Sequence, residues 1–257
     1  MDAVVTAGGM CKPDDPLFEI TGVTKKALTP LAGKPMIQWV VGALLGARHI
    51  DRIVIVGMEA GEVDFGGAPI HYTPSRGSIL DNVIAGAEAL QAIDPSVKKF
   101  LLCSSDIPLI TSEIVDSFIE DCLQTEADVY YSVVEEKTME GRFPGSKRSF
   151  IPLKGGRYAG GDIFVIDLHA GSLDLDLFRE LSQARKNYWR QALKLGPTFI
   201  LKFLLRRLTL EEAARRASQV LNVRAVAMDT PYAELGMDLD KPHQYEMIKA
   251  ELEASQA

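Results

Sequence analysis

The pair Gly8–Gly9 follows a short apolar run, and Lys12, Lys25 and Lys26 come after it in "TAGGMCKPDDPLFEITGVTKKALTPLAGKPM" (6–36). Glycine lets backbone N–H groups approach an anion closely, and a helix start nearby adds favourable partial charge. The three lysines lie within reach in sequence of such an anion. The spacing is neither G-x-x-x-x-G-K-[ST] nor G-x-G-x-x-G, so neither standard nucleotide loop is present, and a plain tight turn accounts for two glycines about as well. A second stretch, "CSSDIPLIT" (103–111), sets Asp106 directly after an apolar run. Mg²⁺ takes one or two carboxylates from a protein and its other oxygens from phosphate and water, which makes Asp106 a candidate ligand. Asp106 could instead cap the next helix, although Thr111 or Ser112 is better spaced for that. In a third stretch, "GMDLDKPHQYEMI" (236–248), Asp238 and Asp240 alternate along an extended segment before Pro242.

For these residues to meet, several strands must end at one edge. "AVVTA" (3–7), "RIVIVG" (52–57), "IHYTP" (70–74), "KFLLCSS" (99–105) and "DVYYSVV" (128–134) read as strands, and helices are expected over 35–47, 78–93 and near 111–124. Pro35 suits a first helical position, and Ser78-x-x-Asp81 is close to a capping box. Strands apolar on both faces and alternating with helices predict a mainly parallel sheet covered on both sides. Beyond residue 135 the pattern loosens, with strands at 161–167 and 223–229, helical sequence over 173–219 and a last helix at 242–254. "TFILKFLL" (198–205), short and broken by Lys202, reads as a buried helix or a cover over a pocket. The expected architecture is one α/β domain over 1–257, a three-layer sandwich with a mixed, mainly parallel sheet and a partly helical insertion at about 136–220. Ligands of open α/β sheets sit beyond the carboxyl ends of the strands, where Gly8, Gly9 and Asp106 fall.

At 257 residues, 47% apolar and 25% charged, the chain has the make-up of an ordinary globular protein. Its 35 acidic against 28 basic residues give a net charge of −7, which argues against broad binding to nucleic acid or an anionic membrane. Cys11, Cys103 and Cys122 lack metal-ligand spacing and read as reduced thiols of a cytoplasmic protein, while His49, His71, His169 and His243 are too scattered to suggest zinc. No apolar run approaches the roughly 18 residues of a membrane span, and the N-terminus reads as lacking a leader.

The "AGG" together with "KKALTPLAGKP" resembles the nucleotide-activating signature of the nucleotidyltransferase superfamily, approximately A-G-G-x-G-x-R, a variable loop, then P-K-x-L-x-P-(L/V)-x-G-K-P. Relatives of that kind include MobA-like NTP transferases (molybdenum-cofactor guanylyltransferase-like proteins), sugar-1-phosphate nucleotidyltransferases and cytidylyltransferases. The resemblance implies a Rossmann-like fold of the nucleotide-diphospho-sugar transferase type. It places Lys26 on the nucleotide phosphates, with Ala7, Gly8 and Gly9 as the backbone cradle and Ser105 beside it. Cys11, Pro13 and Lys25 depart from the pattern, and Lys12 stands where it can supply the missing positive charge. "CSSDIPLIT" resembles the D-x-P-L-(I/L) metal motif, and "DLDKPHQ" the closing (D/N)-x-(D/N)-x-P-x-(D/Q) motif. These imply Mg²⁺ on Asp106 and Asp238; Asp240 either joins them or caps the last helix. "TPSRGSILDNV" (73–83) resembles a base-reading loop, which would turn Arg76, Gly77 and Ser78 towards the ligand with Asn82 one helical turn further on. Ser78 acting only as a helix cap is an equal alternative.

For the second substrate, Arg142, Lys147, Arg148, Lys154 and Arg157 could bind an acceptor phosphate, or could simply be solvated. "AGGD" (159–162) lies where relatives place acceptor contacts, so Gly160, Gly161 and Asp162 join that side. The expected reaction joins a nucleoside triphosphate to a phosphorylated small molecule. An ionised phosphate monoester needs no general base; its oxygen attacks the α-phosphorus in line and pyrophosphate leaves, with Lys26, Asp106 and Asp238 as the catalytic set. A sugar-1-phosphate, a polyol phosphate and a pterin phosphate all satisfy that chemistry. Two rivals remain. A glycosyltransferase of the related fold would use the D-x-D of Asp238 and Asp240 but would not need the phosphate loop. A non-catalytic nucleotide-binding domain would explain the departures at Cys11 and Pro13.

Overall fold

A computed structural model of the chain describes residues 1–168, 202 and 204–256. Its order begins β1 (Asp2–Thr6), α1 (Pro16–Thr21), β2 (Pro30–Leu31), β3 (Lys34–Pro35), α2 (Met36–Gly46), β4 (Ile53–Val56), β5 (Ile70–Thr73) and α3 (Ile79–Ile93). It continues with β6 (Lys99–Ser104), α4 (Ser112–Leu123), β7 (Val129–Glu135), α5 (Glu136–Arg142), β8 (Ile151–Leu153) and β9 (Gly156–Asp167). Last come α6 (Leu210–Leu221), β10 (Ala225–Asp229) and α7 (Pro242–Ala254). Eight strands form one sheet in the order β10-β7-β9-β6-β1-β4-β5, with β8 paired to β9.

Beta1, β4, β5 and β6 run parallel, as do β7 and β10, while β9 is antiparallel to both β6 and β7. The mixed, mainly parallel sheet is therefore the expected one. Its strands are apolar on both faces because helices cover both. Val4, Val54, Val56, Phe100 and Leu102 pack with Leu90 of α3 on one side. Val5, Ile55 and Leu101 pack with Ile37, Val41 and Leu44 of α2 and Val115 and Phe118 of α4 on the other. A separate cluster, with Leu17, Leu31, Met36, Met139, Met237, Leu239, Ile248 and Leu252, joins α1, α5 and α7.

Two registers prepare the site. Thr6 pairs with Ser104, so the residues after β1 and β6 leave the sheet side by side. Cys103 pairs with Ile163 on antiparallel β9, which brings Asp162 to the carboxyl end of β6. In a parallel pairing with Ile163 opposite Cys103, Asp162 would instead lie opposite Leu102, inside the sheet.

Local signals explain where the sequence reading needs correction. The opening stretch holds a helix that the sequence reading does not include: Asp15 caps α1 by accepting from the Leu17 N–H at 2.9 Å, Pro16 opens it and Gly22 closes it in a left-handed conformation. Pro35 stands one place before α2, as its N-cap rather than its first residue. Beta9 begins at Gly156, five residues earlier than the expected strand, because β8 pairs with its first part. Leu204 and Leu205 are exposed, so the end of "TFILKFLL" is not buried; Lys202 instead pairs with Glu212 at 2.6 Å. The rest of that stretch, and the helical reading from 173 to 201, lie outside the described residues. Within them, no helix is long and apolar enough to cross a membrane.

Candidate active site

The long first loop folds back on its own beginning. Met10 and Lys25 form an antiparallel bridge, the Cys11 N–H donates to the Thr24 carbonyl at 2.7 Å, and the Lys26 N–H donates to the Gly9 carbonyl at 3.0 Å. The lysine is thus held beside the glycines by backbone bonds. Its ammonium donates to Asp106 Oδ2 at 2.6 Å and to Asp240 Oδ1 at 2.5 Å. Ser104 Oγ donates to the other Asp106 oxygen at 2.5 Å, and the Leu239 N–H donates to the Asp106 carbonyl at 2.9 Å. Residues 238–240 are thereby tied to the end of β6. Gln244, one turn into α7, accepts from the Asp240 N–H at 3.0 Å. Neither aspartate caps a helix: Thr111 caps α4, and α7 begins after Lys241 without a side-chain cap.

Arg148 supplies the second cation. Its guanidinium bonds Asp238, donates to the Gly160 carbonyl at 3.1 Å and stands 3.9 Å from Asp162. Lys26 and Arg148 thus face Asp106, Asp162, Asp238 and Asp240, four carboxylates against two cations. Burial pushes Asp162 up to about 8, reinforced by the charges of Asp106 and Asp238. Asp238 rises to about 6, mainly through burial, although Arg148 opposes the shift. Burial also works to raise Asp240, but Lys26 outweighs it and holds that carboxyl below its ordinary range. Lys26 loses charge preference to burial, yet Asp106 and Asp240 more than restore it and raise its pKa.

These shifts make a stability prediction. Asp162 and Asp238 keep protons in the folded chain that the unfolded chain has released, so stability falls as pH rises from about 4 to about 8. Melting in metal-free buffer should show Tm dropping across that window, and Asp162→Asn should flatten most of the drop. An unchanged slope in that variant would remove Asp162 as its source.

Among the described residues no group of three or more His, Cys, Asp or Glu side chains is arranged to hold a metal ion. Lys26 and Arg148 stand between the carboxylates, Lys26 pairing with Asp106 and Asp240 and Arg148 with Asp238. The donor chemistry nonetheless suits a hard divalent cation: all the ligand atoms on offer are carboxylate oxygens. Asp162 Oδ2 is buried without a hydrogen-bond partner, and fully ionised the cluster carries a surplus of two negative charges.

The glycine loop is pressed from the other side. Gly57, at φ +96°, approaches so closely that a Cβ on it would lie 2.5 Å from the Gly8 Cα. Buried Asn82 accepts from Ser75 Oγ at 3.1 Å and from the Arg76 N–H at 2.7 Å, which braces residues 75–78 against α3. Ser78 caps α3 through the Asp81 N–H at 3.1 Å, and Gly77 takes φ +94°. Asn82→Ala should lower the unfolding free energy by about 1–3 kcal/mol, because it orphans the Arg76 N–H and the Ser75 hydroxyl. Urea denaturation checks this.

The remaining candidates divide. Ala7 and Ser105 are buried beside the paired strand ends, the Ser105 N–H donating to Thr6 at 3.1 Å. Gly160 and Gly161 have a structural reason to be glycine, since a Cβ on them would meet Tyr131 Oη at 1.7 Å and Ser132 Oγ at 2.2 Å. Arg142 pairs with Glu234 and Glu251, Arg157 with Glu136, and Lys12, Lys147 and Lys154 are exposed. Ser104, Gly57, Ser75 and Gln244 are site-building residues that sequence reasoning missed. Two of them gave a local signal: Ser104, as a hydroxyl two places before Asp106, and Gln244, as the last position of the closing motif.

A mixed sheet of this order, covered by helices on both faces, is the architecture of the nucleotide-diphospho-sugar transferase-like proteins. CMP:2-keto-3-deoxy-manno-octonic acid synthetase complexed with CTP shares it at TM-score 0.59 and 15% identity, covering 99% of this chain and 98% of its own. The 4-diphosphocytidyl-2C-methyl-D-erythritol synthase of Anaerococcus prevotii shares it at 0.54 and 12%, over 98% and 97%. The chain belongs to the MobA-like NTP transferase domain family, whose model matches residues 3–227. A hypothetical transferase structure from Thermus thermophilus is 35% identical at TM-score 0.80, over 95% of this chain and 98% of that one. The bifunctional protein GlmU of Exiguobacterium sibiricum is 31% identical over 109 residues, which cover 40% of this chain and 23% of GlmU. The chain therefore matches less than a quarter of the length of that curated relative.

Proposed function

We propose that the chain transfers a nucleoside monophosphate from a nucleoside triphosphate to a phosphorylated small-molecule acceptor. The observation that carries this is the convergence of Lys26, Asp106, Asp238 and Asp240 beside the Gly8–Gly9 loop, from three distant parts of the sequence. An acceptor phosphate oxygen forms the new bond to the α-phosphorus, the bond from that phosphorus to the bridging oxygen breaks, and pyrophosphate carries the electron pair away. The Gly8 and Gly9 amides cradle the triphosphate, and Lys26 turns from the carboxylates to the phosphate oxygens as charge moves onto the leaving group. Residues 75–78, braced by Asn82, wall the base side; Arg148, Gly160, Gly161 and Asp162 border the acceptor. Asp106 and Asp238, with Asp240 or Asp162, would hold Mg²⁺, which when bound neutralises phosphate charge and aligns the two substrates.

In this reading residues 1–257 act as one domain whose acceptor-side insertion spans about 136–220. The test is a panel of the four nucleoside triphosphates with Mg²⁺ against sugar-1-phosphates, polyol phosphates and pterin phosphates, scored by pyrophosphate release. At least one pair should turn over. Silence across the panel, with turnover of a nucleotide sugar instead, would replace the proposal with a glycosyltransferase.

A further inference from the structure

Arg148 sits on a segment whose ends are fixed and whose tip is not part of any strand or helix. Ser146 is fully buried, its hydroxyl donates to Glu140 at 2.7 Å, and its carbonyl lies 2.9 Å from His243 Nε2. Lys147 then turns the chain at φ +53° and aims Arg148 at Asp238. The guanidinium uses one terminal nitrogen on Asp238 and the other on the Gly160 carbonyl, while its Nε is buried with no hydrogen-bond partner. Its planar fork is therefore incompletely used, and the carboxylate it holds is one that the proposed reaction needs for a cation. A phosphate dianion offers more charge than a carboxylate and matches the fork bidentately.

We propose that Arg148 is a latch that exchanges partners: it holds Asp238 in the free protein and moves to the acceptor phosphate, releasing Asp238 to the divalent cation. Acceptor phosphate and metal then bind cooperatively, because each is helped by opening the same ion pair. Linkage makes the effect reciprocal. The latch rests on the reading of the carboxylates as the metal site, and the two are separable by experiment.

The test titrates Mn²⁺ into the full chain, following free Mn²⁺ by electron paramagnetic resonance, with and without methyl phosphate as a monoester probe and with a protein-free reference at each concentration. Methyl phosphate should tighten Mn²⁺ binding by about tenfold, within the usual range for coupled sites. Arg148→Met should bind Mn²⁺ without methyl phosphate as tightly as the unsubstituted protein does with it, and should show no further response. Arg148→Lys, which keeps the charge but not the fork, should respond by less than about threefold and covers the case in which the methionine variant fails to fold. If both variants respond as the unsubstituted protein does, or that protein does not respond, the latch is wrong. Asp238→Asn tests the underlying reading: if it leaves Mn²⁺ affinity unchanged, the metal-site assignment falls and the latch with it.

Discussion

Lys26→Ala should lower kcat/KM for pyrophosphate release by about 10²–10³-fold, the cost of deleting one preorganised group that meets developing charge. Two effects separate this from simple loss of binding. The ammonium is the shared partner of Asp106 and Asp240, so its removal leaves like charges facing each other without compensation. Breaking a fully buried pair costs about 3–5 kcal/mol, and the loss here should be smaller because Asp240 is half exposed. Mg²⁺ should restore part of that stability by supplying the lost positive charge, yet should leave kcat low. The decisive pair of measurements is Tm with and without Mg²⁺ beside single-turnover rates. A variant with normal turnover would remove Lys26 from the chemistry.

Gly57→Ala should be as damaging for a different reason. The residue has φ +96°, a conformation costing a non-glycine residue about 1–3 kcal/mol, and the added Cβ would also lie 2.5 Å from Gly8 Cα and 2.7 Å from Gly8 N. Both neighbours are backbone, so no side chain can swing aside, and the Gly8–Gly9 loop itself must shift. We expect a loss of about 3 kcal/mol or more in urea denaturation and a KM for the triphosphate raised by about tenfold or more. Gly61→Ala is the control: φ is +88° there, but nothing lies within 4 Å of its Cβ, so only the conformational cost applies. Equal destabilisation of the two variants would show that the close approach to Gly8 carries no weight.

Most of the sheet was legible because its strands are continuous apolar runs bounded by turns, as at Ile53–Val56 and Lys99–Ser104. The direction of β9 was not, since a run such as "GDIFVID" has the same pattern whichever way it lies. That direction decides where Asp162 goes. Sequence placed this aspartate with the acceptor; the antiparallel register sets it among the carboxylates facing Lys26 and Arg148. Lys26, Asp106 and Asp238 could be named from motifs, but which of the named residues pair with one another could not. Arg148 is one of several cations between residues 142 and 157, and nothing local distinguishes it from Arg142, which pairs with Glu234 and Glu251. Gly57 lies outside every motif, and its role depends on two strands being neighbours.

The bridge between Met10 and Lys25 has a consequence for how this protein can change. Because backbone bonds pin both feet of the excursion and Leu17 of α1 anchors its middle in the core, only the exposed residues 12–14 are free to lengthen, and doubling the length of a flexible loop costs only about 0.6 kcal/mol. Segments of new length or charge can be spliced at residues 12–14, ahead of α1, while the ammonium of Lys26 keeps its place. The length and charge of that exposed rim can drift, or be engineered, without rebuilding what lies beneath it.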